Sequence, residues 1–581
     1  MSAQTGTPSF VPSPPSSRAV DLARTSLRRV RNNPNPIWIR ELRQAARLGR
    51  TPIILMTITA LVALLMTAIG GIMSVAASPS TIGITLFHTF FSLAFFVVTL
   101  LGPALAANSV ASEREGRTWE AVILTGLPPK TIARGKFLSA FTNISMYIVM
   151  LAPVGALSFL FGGVTALEVV VAFFFLFLFA LLGVAFGLAI SSALASGRTA
   201  ILLSLLLAFP LTLVAYLGLG VGLSVAANDA WPAVIGGAPV WLPTAYERAP
   251  FSLEYITFLV VIPIAGLTVP AWFFYEITVA NLTSLTDDRA TGLKRWYVVM
   301  VPLLTAAIVI PVVTLGNGKP SGSIMVGVSI LFSFVVFAFF VFQGDAIGPS
   351  RRVLVHWERK KASQLTRFMG PGLVKTISLV FVLGSVGILV LAVAGVAVSL
   401  LSPHVTDRQL EAERVVAFVE YAATYLLFLG GFAAWIRTKA STSGVARVLL
   451  LVAIFLSAAG PWIVAAIAGV ISEGSDEALI VAAPSPFFAF VLVGMLDKAQ
   501  RGLATIVGVI CSSAWALIGL GLFAAASVRA KRIIHEHFAM LSESEKMLAQ
   551  EDEELQRMDL QQQNLDSAPE NALVGQGESG A

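Results

Sequence analysis

Charged side chains are scarce in this sequence. Asp, Glu, Lys and Arg make up 12% of its 581 residues, whereas 56% of the residues are hydrophobic. A soluble domain carries about 25% charged residues and about 45–50% apolar ones. A water-exposed protein of this size would therefore lack the polar side chains needed to cover its surface. The composition predicts an integral membrane protein.

Residues for covalent or metal chemistry are also missing. The single cysteine, Cys511, excludes an intrachain disulfide framework, and the five histidines are scattered without the spacing of metal ligands. No phosphate-binding loop occurs, since the nearest string, Gly370 to Thr376, lacks the glycine before its lysine. We therefore predict that the chain is not an enzyme, has no catalytic or metal-binding residues and binds no cofactor itself.

Long uncharged runs stand in place of the missing charge. A helix needs about 20 residues to cross the ~30 Å hydrocarbon core of a bilayer, and the short alternating segments of a membrane β-barrel are absent. The fold is predicted as an all-α polytopic membrane protein with about twelve transmembrane helices, at residues 52–75, 83–107, 137–161, 166–194, 199–227, 255–280, 297–315, 323–342, 376–401, 415–436, 448–471 and 503–528.

One further apolar run, residues 479–496, is interrupted by Pro484 and Pro486. Irregular backbone at membrane depth is tolerated where it is buried in protein, so this run is predicted to be re-entrant. The alternative is a thirteenth span, which would move the basic cluster of Arg529, Lys531 and Arg532 to the outer side.

The basic residues set the orientation. With a cytoplasmic N-terminus and twelve spans, 33 of the 39 Lys and Arg residues fall in cytoplasmic segments. Positive charge accumulates on the cytoplasmic side of membrane proteins. The chain is therefore predicted to be a multi-pass protein of the cell membrane (inner or plasma membrane) with both termini in the cytoplasm. Because these charges flank apolar spans, no nucleic-acid partner is predicted.

The spans form two sets of six with similar loop lengths. This divides the chain into a disordered, basic tail at 1–33, a first six-helix unit at 34–282, a second, divergent unit at 283–528, and a cytoplasmic polar helix with a disordered tail at 529–581. Internal repeats are common in transporters. The alternative is that any twelve-helix chain can be halved in this way.

A short amphipathic helix is predicted immediately before the first span. Asn35 is a good capping residue and Pro36 a good first residue. Four arginines fall on one face, and four apolar or small residues fall opposite; these are Arg40, Arg43, Arg47 and Arg50, and Trp38, Leu42, Ala45 and Gly49. Such a helix lies in the membrane interface and contacts lipid phosphates. The alternative is a simple topology anchor.

A second informative segment follows the second span. Ser112 and Glu115 are spaced as a capping box, and Thr118 begins a predicted short helix that ends at Gly126. Its Trp119, Val122 and Ile123 are expected to face one way and to offer an apolar anchor to another protein. The alternative reading is a solvated charged loop.

Together these residues resemble the permease subunits of type-2 ATP-binding-cassette (ABC) exporters. The similarity covers roughly residues 33–137, and the helix layout continues to about residue 282. It rests on Asn35-Pro36 followed by Arg40-Glu41-Leu42-Arg43, on Gly102-Pro103-Ala104, on Ser112-Glu113-Arg114-Glu115-Gly116-x-Thr118, on Leu124-Thr125-Gly126-Leu127-Pro128, and on Gly135-Lys136. The corresponding segment of the second half, Gly344 to Lys375, departs from this pattern.

The resemblance implies an exporter subunit that couples to a separate cytoplasmic ABC ATPase, which supplies ATP hydrolysis. The six-helix unit would work as a dimer, either a homodimer or a pseudo-dimer within one chain. An elbow helix would contain Asn35, Pro36, Arg40, Glu41, Arg43 and Arg47. A coupling segment would contain Glu113, Glu115, Gly116, Thr118, Trp119, Val122 and Ile123, with the glutamates accepting from a partner's Arg or Lys.

Few ionisable residues occur within the spans. His88, Glu276 and Glu420 are candidates for a substrate or proton path, although the two glutamates lie near span ends, where they reach the interface. The sparse polarity favours a hydrophobic or amphiphilic cargo. Two alternative functions stay open at this point, a secondary transporter of the twelve-helix type and a non-transporting scaffold for envelope assembly.

The orientation is tested by labelling. Single cysteines placed at Lys130, Lys360 and Ala549, with Cys511 replaced by serine, should all be shielded from an impermeant reagent added outside, because the basic charge balance puts all three segments inside. An outside signal at Ala549 alone would support thirteen spans.

Overall fold

The computed structural model describes residues 34–47, 50–75, 77–222, 224, 261–284, 287–314, 320–359, 369–403, 405–471, 475–498 and 501–567. Regular structure in these ranges is helical, without a strand. The predicted tail at 1–33 and residues 568–581 lie outside them. The chain forms two compact units, Met1–Ser284 and Leu285–Ala581, which are described separately.

The first unit contains eight α-helices among its described residues. They are α1 (Pro36–Arg47), α2 (Arg50–Met73), α3 (Pro79–Glu115), α4 (Trp119–Leu124), α5 (Pro129–Leu160), α6 (Ala166–Ala193), α7 (Gly197–Val214), which continues as a π-helical segment over Ala215–Gly222, and α8 (Ile262–Leu282).

The second unit contains nine α-helices in the part of it that the structure describes. They are α9 (Thr291–Thr314), α10 (Pro320–Phe342), α11 (Arg351–Arg359), α12 (Leu373–Leu401), α13 (Arg408–Lys439), α14 (Ser443–Ile471), α15 (Ser475–Ala482), α16 (Phe488–Met495) and α17 (Arg501–Ser567).

Eleven helices among the described residues are long and apolar enough to cross a membrane. All eleven coincide with predicted spans. The remaining predicted span, 255–280, overlaps α8, which is not among the eleven; residues 255–260 lie outside the described residues. The all-α polytopic fold is therefore confirmed, with eleven helices among the described residues that are long and apolar enough to cross a membrane.

In each unit the fourth long helix is the central one. Helix α6 contacts α3, α5, α7 and α8, and α13 contacts α10, α12, α14 and α17. The two units thus share a neighbour pattern as well as similar loop lengths. Around α6 the core is rich in phenylalanine, with Phe95 and Phe179 packed edge to face at 4.7 Å between ring centroids.

Helix α6 approaches α3 closely at Pro103. A Cβ atom at Gly187 would lie 2.2 Å from the carbonyl oxygen of Pro103, and one at Gly183 would lie 3.0 Å from its Cδ. Only glycine fits at Gly187, because the obstructing atoms belong to the backbone. This contact gives the Gly102-Pro103-Ala104 motif a packing role.

Several helices extend past their apolar runs. Helix α3 continues to Glu115 and α5 starts at Pro129, so the segment that joins the two helices is shorter than the gap of 108–136 between the predicted spans. The predicted capping box is wrong, because Ser112 lies inside α3 and donates to the carbonyl of Asn108 at 2.5 Å. At the C-terminus, α17 carries the last apolar run and the polar segment as one helix to Ser567.

The run at 479–496 forms two helices of eight residues, α15 and α16, instead of one spanning helix. The break between them is buried at Ala483 and Ser485. Tyr421 donates to the carbonyl of Ala483 at 2.5 Å, and Trp515 donates to that of Pro484 at 3.1 Å. These bonds satisfy backbone acceptors at the break between the two helices, as irregular backbone buried in a membrane protein would require. The membrane depth of this segment stays a prediction.

The close approach at Pro103 yields a stability test. Gly187→Ala should lower the thermal unfolding midpoint of the detergent-purified protein, because overpacking costs about 1–3 kcal/mol and outweighs the ~1 kcal/mol helix advantage of alanine. Gly460→Ala in α14 is the matched control, since no heavy atom lies within 4 Å of its added Cβ. Equal midpoints for the two variants would contradict the packing role of Gly187.

Candidate coupling site

The residues of the sequence motifs meet at one place, where α1, the end of α3, α4 and the start of α5 come together. We call this region the junction. Its centre is Lys136, which lies about two turns into α5 and has a fully buried side chain. A buried ammonium is stable only when acidic and polar partners replace its water.

Lys136 has three such partners. Its Nζ lies 2.9 Å from Glu113 Oε2 on α3 and 3.4 Å from Glu41 Oε1 on α1, and it donates to the carbonyl of Ser109 at 2.8 Å. Arg40 pairs with Glu41 at 2.9 Å and also with Glu113. Two cations and two carboxylates thus balance, and we call these four residues the ion cluster.

The ion cluster also affects Arg40. Partial burial lowers the pKa of its guanidinium, but hydrogen bonds and charge attraction from Glu41 and Glu113 outweigh this, so the net shift is upward. Arg40 stays charged at any physiological pH. The cluster is therefore a permanent link between α1 and the end of α3.

Asn35 connects α1 to α5 by a second route. Its Oδ1 accepts from the backbone N–H of Ile37 at 3.0 Å, which caps α1, and its Nδ2 donates to the carbonyl of Thr131 at 2.8 Å. A Cβ at Gly135 would lie 2.6 Å from Asn35 Oδ1. The Asn35-Pro36 and Gly135-Lys136 motifs are thus two sides of one contact.

A small apolar core completes the junction. Ile37 of α1, Val122 of α4 and Ile132 of α5 are buried against one another. Trp119, Leu127 and Leu282 pack around them. Helix α4 is therefore fixed to α1 and α5 by apolar contact, although it is only six residues long.

The turn between α3 and α4 is strained. Arg117 has φ of 54°, a left-handed conformation that costs a side-chain-bearing residue about 1–2 kcal/mol. The turn closes with the N–H of Thr118 donating to the carbonyl of Glu113 at 2.9 Å. At the other end of α4, Gly126 has φ of 68°, where glycine is unstrained. Strain of this kind is concentrated at functional sites.

The two glutamates of the coupling segment have partners inside the chain. Glu113 belongs to the ion cluster, and Glu115 accepts from the backbone N–H of Gly197 at 2.8 Å, at the N-terminus of α7. A carboxylate there is favoured by the helix dipole. The expectation that these glutamates are acceptors for a partner's Arg or Lys therefore has to be revised, because both are already engaged.

The apolar face of α4 also differs from the prediction. Trp119 is half-buried, with Arg114 stacked over its ring at 5.6 Å, and Val122 is 4% exposed. In contrast, Ile123 is 55% and Leu124 86% exposed. The prediction that Trp119, Val122 and Ile123 share one apolar face is wrong. This short helix buries one side in the junction and leaves the other side, with Ile123, exposed. Gly116 and Thr118 lie in the exposed turn before it.

The predicted amphipathic helix before the first span is present as α1. Arg43 and Arg47 are exposed on it, whereas the opposite side is partly buried, with Trp38 donating to Thr142 Oγ1 at 3.2 Å. Beneath α1 a polar cavity of about 220 Å³ reaches the ion cluster and is also lined by Asn108 and Asn143. The placement of α1 in a membrane interface stays a prediction.

The three candidate path residues do not form a common site. His88 packs against Phe87 near the start of α3, whereas Glu276 accepts from Trp272 Nε1 at 3.1 Å near the end of α8 that meets the first turn of α5. Glu420 belongs to the second unit, where Ser512 donates to it at 3.2 Å beside a cavity of about 50 Å³.

The second unit has a buried lysine of its own, which the sequence reasoning missed. Lys294, at the start of α9, lies 3.4 Å from Asp345 Oδ2 and donates to the carbonyl of Gly370 at 3.0 Å. Thr376, at the start of α12, donates to Asp345 at 2.7 Å. The available signal was a carboxylate just after the second span of each unit, Glu113 or Asp345, with a lysine at the start of a neighbouring span.

No metal site is formed by His, Cys, Asp or Glu side chains within the described ranges. Comparison with known proteins adds no identification: no family model, no curated protein and no solved structure matches this chain.

The ion cluster is tested by breaking it in two ways. Lys136→Met leaves two carboxylates, Glu41 and Glu113, with Arg40 as their one remaining cation among the described residues. It should cost about 3 kcal/mol of stability, seen as a lower thermal midpoint in detergent. Adding Glu113→Gln should recover part of that loss. Arg557→Met is the control, because its ion pair with Glu553 is exposed. Equal midpoints for Lys136→Met and the control would contradict a structural role for the cluster.

Proposed function

We propose that this chain is the transmembrane subunit of an ATP-driven ABC transporter and that it works in export. It forms the translocation path and couples to a separate cytoplasmic ATPase subunit. Support comes from the motif resemblance and from the junction. The chain lies in the cell membrane, multi-pass, with both termini cytoplasmic.

The observation that carries this proposal is the link from α4 to α1 and α5. The exposed tip of α4 is joined to the spans through the apolar core around Val122 and through the ion cluster on Lys136. A displacement of that tip therefore moves α1 and α5 together, because side-chain packing joins the tip to both helices. Coupling to an external motor requires such a connection.

The surface offered to the ATPase is the tip of α4. Ile123 and Leu124 are its exposed apolar side chains, and Glu120 adds a negative charge beside them. A buried apolar anchor dominates the energy of most protein interfaces. The glutamates of the ion cluster act on this surface indirectly, by holding α4 in place.

Assembly follows from the six-helix unit. Each unit has a central fourth helix with the same set of neighbours, which supports a pseudo-dimer within one chain; a homodimer of whole chains is the other arrangement that fits. The exposed apolar faces of the spans contact membrane lipid. The cargo path runs among the spans, and His88, Glu276 and Glu420 are separate candidates along it.

The coupling surface is tested by co-purification. Ile123→Asp with Leu124→Asp should reduce recovery of the ATPase from detergent-solubilised native membranes by about tenfold or more, because loss of an apolar anchor costs ~2 kcal/mol or more. The ATPase is identified by mass spectrometry through the peptide that contains its phosphate loop.

The matched control replaces exposed residues of α11 in the second unit. Arg351→Ala with Arg352→Ala should leave ATPase recovery unchanged at equal expression. Absence of any ATPase in the wild-type preparation would overturn the ABC assignment and favour a secondary transporter or a scaffold. Loss with the α11 pair and not with the α4 pair would move the coupling site to the second unit.

A further inference from the structure

The cytoplasmic end of α10 is held by arginines from two other helices. Arg437 of α13 donates through Nε to the carbonyl of Gln343 at 3.0 Å. Arg447 of α14 donates to the carbonyls of Phe340 at 3.1 Å and Val341 at 3.3 Å. Positive charge is favourable at a helix C-terminus, so these contacts explain part of the arrangement.

A third arginine lies beside them. Arg529 of α17 donates through Nε to the carbonyl of Thr438 at 3.2 Å, next along the chain from Arg437. We call Arg437, Arg447 and Arg529 the arginine cluster. Each forms hydrogen bonds only to backbone carbonyls within the described residues, and none there forms an ion pair with a carboxylate.

Within the part of the chain that the structure describes, no carboxylate forms an ion pair with the arginine cluster. Asp345 attracts Arg437, but it is paired with Lys294 at 3.4 Å and accepts from Thr376. Arg447 is repelled by Arg437. Beside them the side-chain amide of Gln343 is fully buried, and neither its oxygen nor its nitrogen has a hydrogen-bond partner. Asp345 is thus shared between Lys294 and Arg437, and the amide of Gln343 beside them is unsatisfied.

We propose that the arginine cluster binds the phosphate of an anionic phospholipid. Guanidinium groups match the oxygens of a phosphodiester geometrically. Among the described residues, the terminal amino groups of Arg437 and Arg529 form no hydrogen bond, since both side chains donate through Nε. Basic pockets between spans on the cytoplasmic side bind anionic headgroups. This inference requires the membrane placement of the chain but not its coupling to an ATPase.

A lipid fits the surroundings better than free phosphate does. Arg447 lies one turn into α14, whose outer face exposes Val445 by 45% and Val448 by 59%. Among the long helices of this unit, α14 is the least buried, since 11% of the residues in its apolar stretch are buried. An acyl chain lying along this face would leave its headgroup at the level of the arginine cluster.

The site is tested first with the unaltered full-length chain. Native mass spectrometry in neutral detergent should show phosphatidylglycerol bound about tenfold more tightly than phosphatidylcholine. Inorganic phosphate at ~10 mM, a large excess over the lipid, should not displace the bound phosphatidylglycerol. A photoactivatable phosphatidylglycerol should crosslink to the peptide containing Ala440 to Leu450.

Variants then localise the binding. Arg447→Gln should weaken phosphatidylglycerol binding about tenfold, and Arg447→Lys should weaken it less, because a point charge is kept without the planar fork. Arg501→Gln is the matched control, since Arg501 is ion-paired with Glu413. Unchanged lipid binding in Arg447→Gln, or equal binding of the two lipids to the unaltered chain, would overturn the proposal. Displacement by inorganic phosphate would assign the site to a free anion instead.

Discussion

The first unit depends on one constraint, the burial of the Lys136 ammonium. A charge with no access to water has to be met by acidic and polar groups, and these come from α1 and α3 as well as from the backbone. Three separate stretches of sequence are therefore held at one point. The position of α4 follows, because Val122 of α4 packs on Ile37 and Ile132 of the helices that the ion cluster joins.

In this arrangement the residues that fix the position of α4 differ from the residues that α4 exposes at its surface. Glu113 and Glu115 lie within the predicted coupling segment, yet their carboxylates are paired with Lys136, Arg40 and the N-terminus of α7. The groups left for another protein are the apolar tip of α4 and the acid beside it. Substitutions of the glutamates are thus expected to act through stability and geometry, whereas substitutions of the tip act on contact itself.

The sequence was sufficient for features that depend on composition and local periodicity. The long apolar runs predicted the spans, the capping residue and arginine spacing predicted α1, and the Thr118 to Gly126 pattern predicted α4. The proline pair at Pro484 and Pro486 also predicted that residues 479–496 do not form one helix. Each of these features is encoded within about one helix length of sequence.

Contacts between distant residues could not be predicted in this way. Nothing in the sequence near Lys136 indicates that it is buried with Glu41, which lies 95 residues away. The direction of α4 depends on which of its sides meets Ile37, so Ile123 and Trp119 could not be separated by periodicity. The arginine cluster is similarly assembled from α13, α14 and α17, whose basic residues look from the sequence like ordinary topology signals.

The two units solve a common problem with different residues. Each buries a lysine against a carboxylate near the end of its second long helix, Glu113 in the last turn of α3 and Asp345 just after α10. The further partner helix is α1 in the first unit and α12 in the second. The second unit also contains the arginine cluster, whose arginines have no ion-paired carboxylate among the described residues. In the ion cluster of the first unit, two cations are matched by two carboxylates.

The central claim is that the ion cluster, together with the apolar core around Val122, holds α1, α4 and the start of α5 as one rigid body. Electron–electron distances between nitroxide labels at Arg43→Cys and Glu120→Cys, with Cys511→Ser, measure this most directly. The account predicts one narrow distance distribution that broadens when Lys136→Met is added. A broad distribution in the chain with Lys136 intact would contradict it.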